Sequence, residues 1–394
     1  MTLGGWWRFV SPLALAVALG LFQASSVAGS GAQQADPSQD WQPTTLTQPV
    51  RRLFAPAGGA LLASTDRQLL RTDDAGLSWT SVTLPDQTTV AGVDPTDAAI
   101  LYAAGGDGVY RTRDQGFTWQ RILQFDPVAG GEFGQMAVSA ADHDRLYLAV
   151  KQDPGPASAL RMLRSRDGGQ SWDRLQVSQS SLCAWSVPLL EVDPTNPDRL
   201  FQSAACLAGR TFGASLDQSP DAGATWLAVF NPEPYRTPAL GYPGHLVVSP
   251  DGTSGRSYLA TNRDARLGGS ELLRSDDDGA TWSELLAFSG GGTPGYRQPE
   301  DPPDAPNVRI GGLAVDLLNA DQVYAGLLVY DRYPPQQPVG GGVLVSTDGG
   351  AAWAPLGRDL GGIEDLVLSS DNQRLYAATS QGLWRLDLAA SGAP

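Results

Sequence analysis

Carboxylates, arginines and aromatic rings are the side chains on this chain that could do chemistry, because few other reactive types are present. There are two histidines (His143 and His245), two cysteines and a single lysine, Lys151. That leaves too few soft ligands for a Cys/His zinc site and no glycine-rich loop with a lysine to hold phosphate. No metal and no cofactor is expected. Hydrolysis of a glycoside needs two carboxyl groups facing each other about 5–9.5 Å apart. Glu364 and Asp365, with Glu132 or Asp301 across the same face, are the candidates. They are a weak pairing, since adjacent residues on a strand point opposite ways. Binding of a sugar or a peptide needs stacking rings and forked donors. Trp185, Arg210, Tyr235, Arg236, His245, Arg263, Tyr296, Arg297, Tyr330 and Arg332 supply these from the longer connecting segments.

Six further aspartates belong to a repeat. Ser/Thr-x-Asp-x-Gly-x-x-Trp begins at Thr72, Thr112, Ser165, Ser219, Ser275 and Ser346, and places Asp74, Asp114, Asp167, Asp221, Asp277 and Asp348 at one position. In each, the Asp can accept turn amides, the Gly can take a positive φ, and the Ser/Thr can bond the backbone locally. The Trp adds a large ring to pack between strands. One such residue per repeat is what a structural turn requires, whereas an enzyme needs one convergent cluster. These aspartates are therefore read as structural.

The repeat dictates the elements that position everything else. Upstream of each box lies an apolar segment ending in an acidic or proline turn (Val93-Asp-Pro, Val192-Asp-Pro). A short strand follows (Leu101-Tyr-Ala-Ala, Leu146-Tyr-Leu-Ala), and then a strand leading into the box (Val109-Tyr-Arg-Thr, Leu272-Leu-Arg-Ser). A fourth strand follows each Trp. Four short strands repeated in this way describe the blade of a β-propeller. After the sixth box, 363–387 supplies three more strands and no fourth, while Trp41-Gln-Pro-Thr-Thr-Leu46 matches the segment after a box. The expectation is an all-β, seven-bladed propeller of four-stranded antiparallel blades over 41–388, closed by strand 41–47 pairing into the last blade. That closure leaves no open sheet edge.

Composition agrees. The 46 Gly and 29 Pro of 394 residues disfavour long helices, and 42% hydrophobic residues with 11 Trp can fill a core. A net charge of −15 repels phosphate backbones and anionic lipid, so nucleic-acid, nucleotide and membrane-surface roles are disfavoured. Arg8 followed by the apolar run Phe9–Phe22 and small residues reads as a cleaved signal peptide over 1–32, with an uncleaved anchor as the alternative. A polar linker, 33–40, and a short tail, 389–394, flank the propeller. The expectation is a secreted or extracytoplasmic monomer. In that compartment Cys183 and Cys206, which face each other across the hairpin turning at Asp193–Asp198, are expected to form a disulfide.

The six boxes resemble the Asp-box, or bacterial neuraminidase repeat, over nearly the whole of 41–386. The resemblance implies the propeller but does not choose an activity, since it includes sialidases, xyloglucan-cleaving endoglucanases, sortilin-type receptors and seven-bladed photosystem II assembly factors. A sialidase would need an Arg-Ile-Pro near its first blade, and Arg121-Ile122-Leu and Arg309-Ile310-Gly do not supply it. The xyloglucan-cleaving enzymes resemble the repeat in detail but set two propellers face to face with one Asp from each. Sortilin-type receptors carry a Cys-rich module that is missing here. The assembly factors match best in size and export signal. The resulting expectation is a non-enzymatic binding or assembly scaffold that recognises protein or glycan through the long loops of blades 3–6. The alternative is a sialidase-like or xyloglucanase-like glycoside hydrolase using carboxylates on that face.

Overall fold

The computed structural model describes residues 40–66, 68–125, 132–152, 159–176, 184–208, 211–230, 242–249, 255–262, 269–289, 307–330 and 338–388. Within them there is no helix, and 28 strands form seven four-stranded antiparallel sheets. A short strand β1 (Gln42–Pro43) precedes blade 1, which is β2 (Arg52–Phe54), β3 (Leu61–Ser64), β4 (Leu69–Thr72) and β5 (Thr80–Val82). Blade 2 is β6 (Thr88–Val93), β7 (Leu101–Gly105), β8 (Gly108–Thr112) and β9 (Gln120–Gln124). Blade 3 is β10 (Glu132–Val138), β11 (Leu146–Gln152), β12 (Ala159–Ser165) and β13 (Asp173–Leu175). Blade 4 is β14 (Ala184–Val192), β15 (Leu200–Ala208), β16 (Thr211–Ser219) and β17 (Leu227–Phe230). Blade 5 is β18 (Tyr242–Val248), β19 (Ser257–Asn262), β20 (Gly269–Ser275) and β21 (Ser283–Ser289). Blade 6 is β22 (Asn307–Val315), β23 (Val323–Tyr330), β24 (Gly340–Ser346) and β25 (Ala354–Pro355). Blade 7 is β26 (Ile363–Leu368), β27 (Arg374–Thr379) and β28 (Gly382–Asp387), with β1 as its outer strand. The expected seven-bladed propeller and its closure are both present.

Each box forms the turn between the third and fourth strands by the chemistry its residue types permit. In blade 1, Thr72 Oγ1 donates to Asp74 Oδ1 at 2.7 Å and accepts from the Gly76 amide at 3.0 Å. Asp74 also accepts the Ser78 amide at 2.9 Å and the Ser78 hydroxyl at 2.6 Å. The same bonds recur around Asp114, Asp167, Asp221 and Asp277. At Asp348 the Ser346 hydroxyl still donates, at 2.8 Å, but the second hydroxyl is missing, because Ala352 offers only its amide. The box glycine is required twice over. Gly116 has φ +97°, and a Cβ there would lie 2.4 Å from Val82 of the preceding blade. A box thus stitches its own turn and seats it on its neighbour.

Two further features join the blades. The residue immediately before the box Ser/Thr is often an arginine that donates to the next blade's box, as Arg164 does to the Ala222 carbonyl at 3.0 Å and Arg274 to Gly349 at 2.8 Å, and in blade 7 Arg385 reaches across the closure to Ala75 at 3.1 Å. The second residue of the second strand is a buried ring, as at Tyr102, Tyr147, Phe201, Tyr258, Tyr324 and Tyr376. Closure uses the same parts. Gln42 and Pro43 pair with Arg385 and Trp384, and Trp41, 1% exposed, donates its indole N–H to the Leu356 carbonyl at 2.9 Å. Thr44 meets Gly76 where Val82 meets Gly116, so the N-terminal segment takes the outer-strand role of blade 7.

Strand direction sorts the connections. The boxes and the turns between first and second strands share one face, here the box face. The hairpins between second and third strands and the crossings between blades share the other, the crossing face. The innermost strands β2, β6, β10, β14, β18, β22 and β26 adjoin one another around a central channel, and six of them carry a bulge near the crossing face. Bulges re-aim side chains and recur beside functional sites.

Candidate functional site

Of the carboxylates proposed from sequence, Glu364 and Asp365 are placed by the bulge in β26, which separates their roles. Asp365 turns into the channel. Its Oδ2 accepts the Leu53 amide and its Oδ1 the Leu366 amide, both at 2.8 Å. Burial pushes its pKa up to about 6, against the pull of those two amides. With both oxygens bonded to backbone, Asp365 ties blade 7 to blade 1 and is not half of a catalytic pair with Glu364. Glu364 is the extra residue of the bulge. Its side chain is one-quarter exposed on the crossing face and lies 3.5 Å from Arg51 Nη1. Arg51 is in turn held at 2.9 Å by Asp66, whose hydrogen bond keeps its guanidinium firmly protonated.

Beside Glu364 stands a ring-and-fork pair. Tyr330, at the end of β23, is half-buried, and the Arg309 guanidinium sits 5.6 Å from its ring centroid. Burial pushes the Tyr330 phenol up; Arg309 opposes that shift and Glu364 adds to it, so the three groups share one electrostatic neighbourhood. Arg309 Nε and Nη2 are buried without a hydrogen-bond partner. A half-buried ring, a guanidinium and a carboxylate at the channel mouth can stack on a ligand and hydrogen-bond it. Arg309, Arg51 and Arg52 were missed in the sequence. Their signal is a charge on an innermost strand or, for Arg51, immediately before one. A second polar group on this face joins Tyr110, which donates its phenol to Asp107, to Arg121, 3.6 Å from that carboxylate.

The remaining predicted residues divide. His245 is not in a loop: it lies on β18, facing the channel, where burial holds its pKa down to about 4 and leaves it neutral. Trp185 and Glu132 fall on β14 and β10, at the crossing-face ends of innermost strands. Arg210, Tyr235, Arg236, Arg263, Tyr296, Arg297, Asp301 and Arg332 lie outside the described residues, as does Cys183. Cys206 lies within β15, opposite Ala184. The six box aspartates are on the box face, away from Glu364 and Tyr330. Among the described residues no cluster of His, Cys, Asp and Glu could hold a metal ion.

The channel has its own order. Arg52, Gln135, Leu189, His245 and Gly312 pair with the fourth residue of their second strands and Asp365 with the fifth of β27, two past Tyr376, so that the six form one ring. Two residues toward the box face, Glu191 pairs at the same level as Phe54, Ala137, Val247, Ala314 and Val367. Glu191 is therefore the charged member of an otherwise apolar ring.

No family model matches the chain. A curated relative from a Paenibacillus species, named a xyloglucanase, is 25% identical over 302 residues, covering 74% of this chain and 27% of the relative. The chain thus spans about a quarter of that relative's length. Among solved structures, a xyloglucanase from Xanthomonas campestris superposes with a TM-score of 0.63 at 21% identity, covering 90% of this chain and 54% of that one. YCF48 bound to D1 peptide superposes with a TM-score of 0.53 at 17% identity, covering 92% and 100%. Both structural likenesses show the propeller fold. The sequence likeness corrects the expectation of a non-enzymatic binding or assembly scaffold: it runs along three-quarters of the chain to a protein named as a glycosidase, and so supports the alternative reading instead.

Proposed function

We propose that this propeller is a glycoside-hydrolase-type module of the Asp-box kind that acts on a xyloglucan-class polysaccharide at its crossing face. The observation that carries the reading is the 302-residue likeness to a xyloglucanase. The arrangement of Glu364, Arg51, Tyr330 and Arg309 at the channel mouth supports it. Tyr330 and Arg309 offer a stacking surface with a fork of donors, and Glu364 is the carboxyl positioned to protonate or orient a glycosidic oxygen. Its partner must stand about 5–9.5 Å away. Glu132, which begins β10 across the ring, and Asp301 are the candidates for that role. An exported chain, with 1–32 as its leader, suits a polymer found outside the cell.

The test is release of reducing ends from xyloglucan, with cellulose and mixed-linkage glucan as comparisons. Wild type should cleave xyloglucan, and Glu364→Gln should slow release by about 100-fold, the scale of a lost general acid. Equal rates in wild type and Glu364→Gln would remove Glu364 from the chemistry.

A further inference from the structure

At the box-face end of the channel lies a cavity of about 310 Å³, lined by Arg52, Phe54, Met136, Glu191 and Leu246 among others. Its lining shares no residue with Glu364, Arg51, Tyr330 and Arg309. Its walls are apolar side chains and strand backbone, and Arg52 and Glu191 are its only charged lining groups. Neither makes an ion pair within 4 Å among the described residues, although Arg52 pulls on the carboxyls of Glu191 and Asp365. Arg52 stacks 5.0 Å from the Phe54 ring centroid and makes no ion pair among the described residues. Glu191 is exposed to the channel.

We propose that this cavity is a binding site for a small organic carboxylate, held by the Arg52 guanidinium with Glu191 as the second polar contact. A guanidinium matches a carboxylate in a planar, two-bond fork. A cavity of this size, mostly apolar with a few convergent polar groups, is the usual form of a small-molecule site.

The charge state of the surroundings favours an anion. Burial pushes Glu191 up to about 7, against the pull of Arg52, so below that pH it is a neutral hydrogen-bond donor. His245, the histidine on β18, stays uncharged, and Asp365 on β26 has its oxygens occupied by backbone amides. β6, β10 and β22 present Gly92, Ala137 and Ala314 at the Glu191 level and add no titratable group there. At mildly acidic pH the cavity is therefore cationic through Arg52. As pH rises past about 7, Glu191 ionises and opposes a bound anion.

Calorimetric titration of the full chain with D-glucuronate and acetate at pH 6, with glucose as the neutral control, tests the site. Wild type should bind the carboxylates and not glucose, and Arg52→Gln should weaken binding at least tenfold while its circular dichroism and melting point match wild type. Glu191→Gln should lose the roughly tenfold weakening that wild type shows between pH 6 and pH 8. Absence of carboxylate binding by wild type, equal binding by Arg52→Gln, or an unchanged pH profile in Glu191→Gln would each overturn the proposal. None of these readouts depends on hydrolysis at the other face.

Discussion

Thr112 shows how much one hydroxyl does in this fold. It is 1% exposed, donates to Asp114 at 2.6 Å and accepts the amides of Gly116 and Asp114. Thr112→Val keeps the shape and leaves the buried Gly116 amide without its acceptor, which costs about 1–3 kcal/mol. Urea unfolding should show a lower midpoint with an unchanged slope. The box carboxylates also set the acid limit. Hydrogen bonds from Ser78 and Thr72 pull Asp74 down to about 2, those from Thr112 and Thr118 do so for Asp114, and those from Ser171 and Ser165 for Asp167. Because the folded values lie below the unfolded one, the unfolded chain binds more protons between them. The stability these groups confer is present above about pH 4 and is lost as pH falls toward 2. Unfolding midpoints measured from pH 5 to pH 2.5 should decline across that window; a flat profile would contradict the assignment of these aspartates as hydrogen-bond hubs.

At the scale of elements, the repeat was legible because it is periodic. Box, acidic turn and Leu-Tyr-Ala strand recur with the same residue types, and each type has a physical reason to be there. The closing strand was legible for the same reason, since Trp41–Leu46 has the pattern of a post-box segment. The arginines that reach the next blade's box stood in plain view before the boxes, but their partners are carbonyls up to 310 residues away, as for Arg385 and Ala75. No local pattern shows such a contact. Closure depends on Trp41, which packs with Val343, Leu360 and Leu386. Trp41→Ala removes that ring and its hydrogen bond to Leu356, so it should destabilise by about 3–5 kcal/mol. A melting-point drop no larger than that of an exposed control such as Phe117→Ala would show that the ends are not what holds the ring shut.

Across the whole molecule, the site was less legible than the fold. Sequence reasoning placed binding in long loops because loops on a rigid scaffold usually carry it. It could not see that the innermost strands assemble residues from seven distant segments into rings. Glu364 and Asp365 are neighbours in sequence, yet a single bulge gives one to solvent and the other to backbone amides. Glu191 and Arg52, 139 positions apart in sequence, share one cavity. Tyr330 alone among the aromatic candidates whose side chains are described stands beside a carboxylate and a guanidinium on the crossing face. The proposed action of this propeller on a xyloglucan-class glycan is tested by reducing-end release from xyloglucan by purified wild type beside Glu364→Gln. Release by wild type that falls about 100-fold in the variant is the predicted result. No release from xyloglucan by wild type, at concentrations where its melting curve shows it folded, would contradict it.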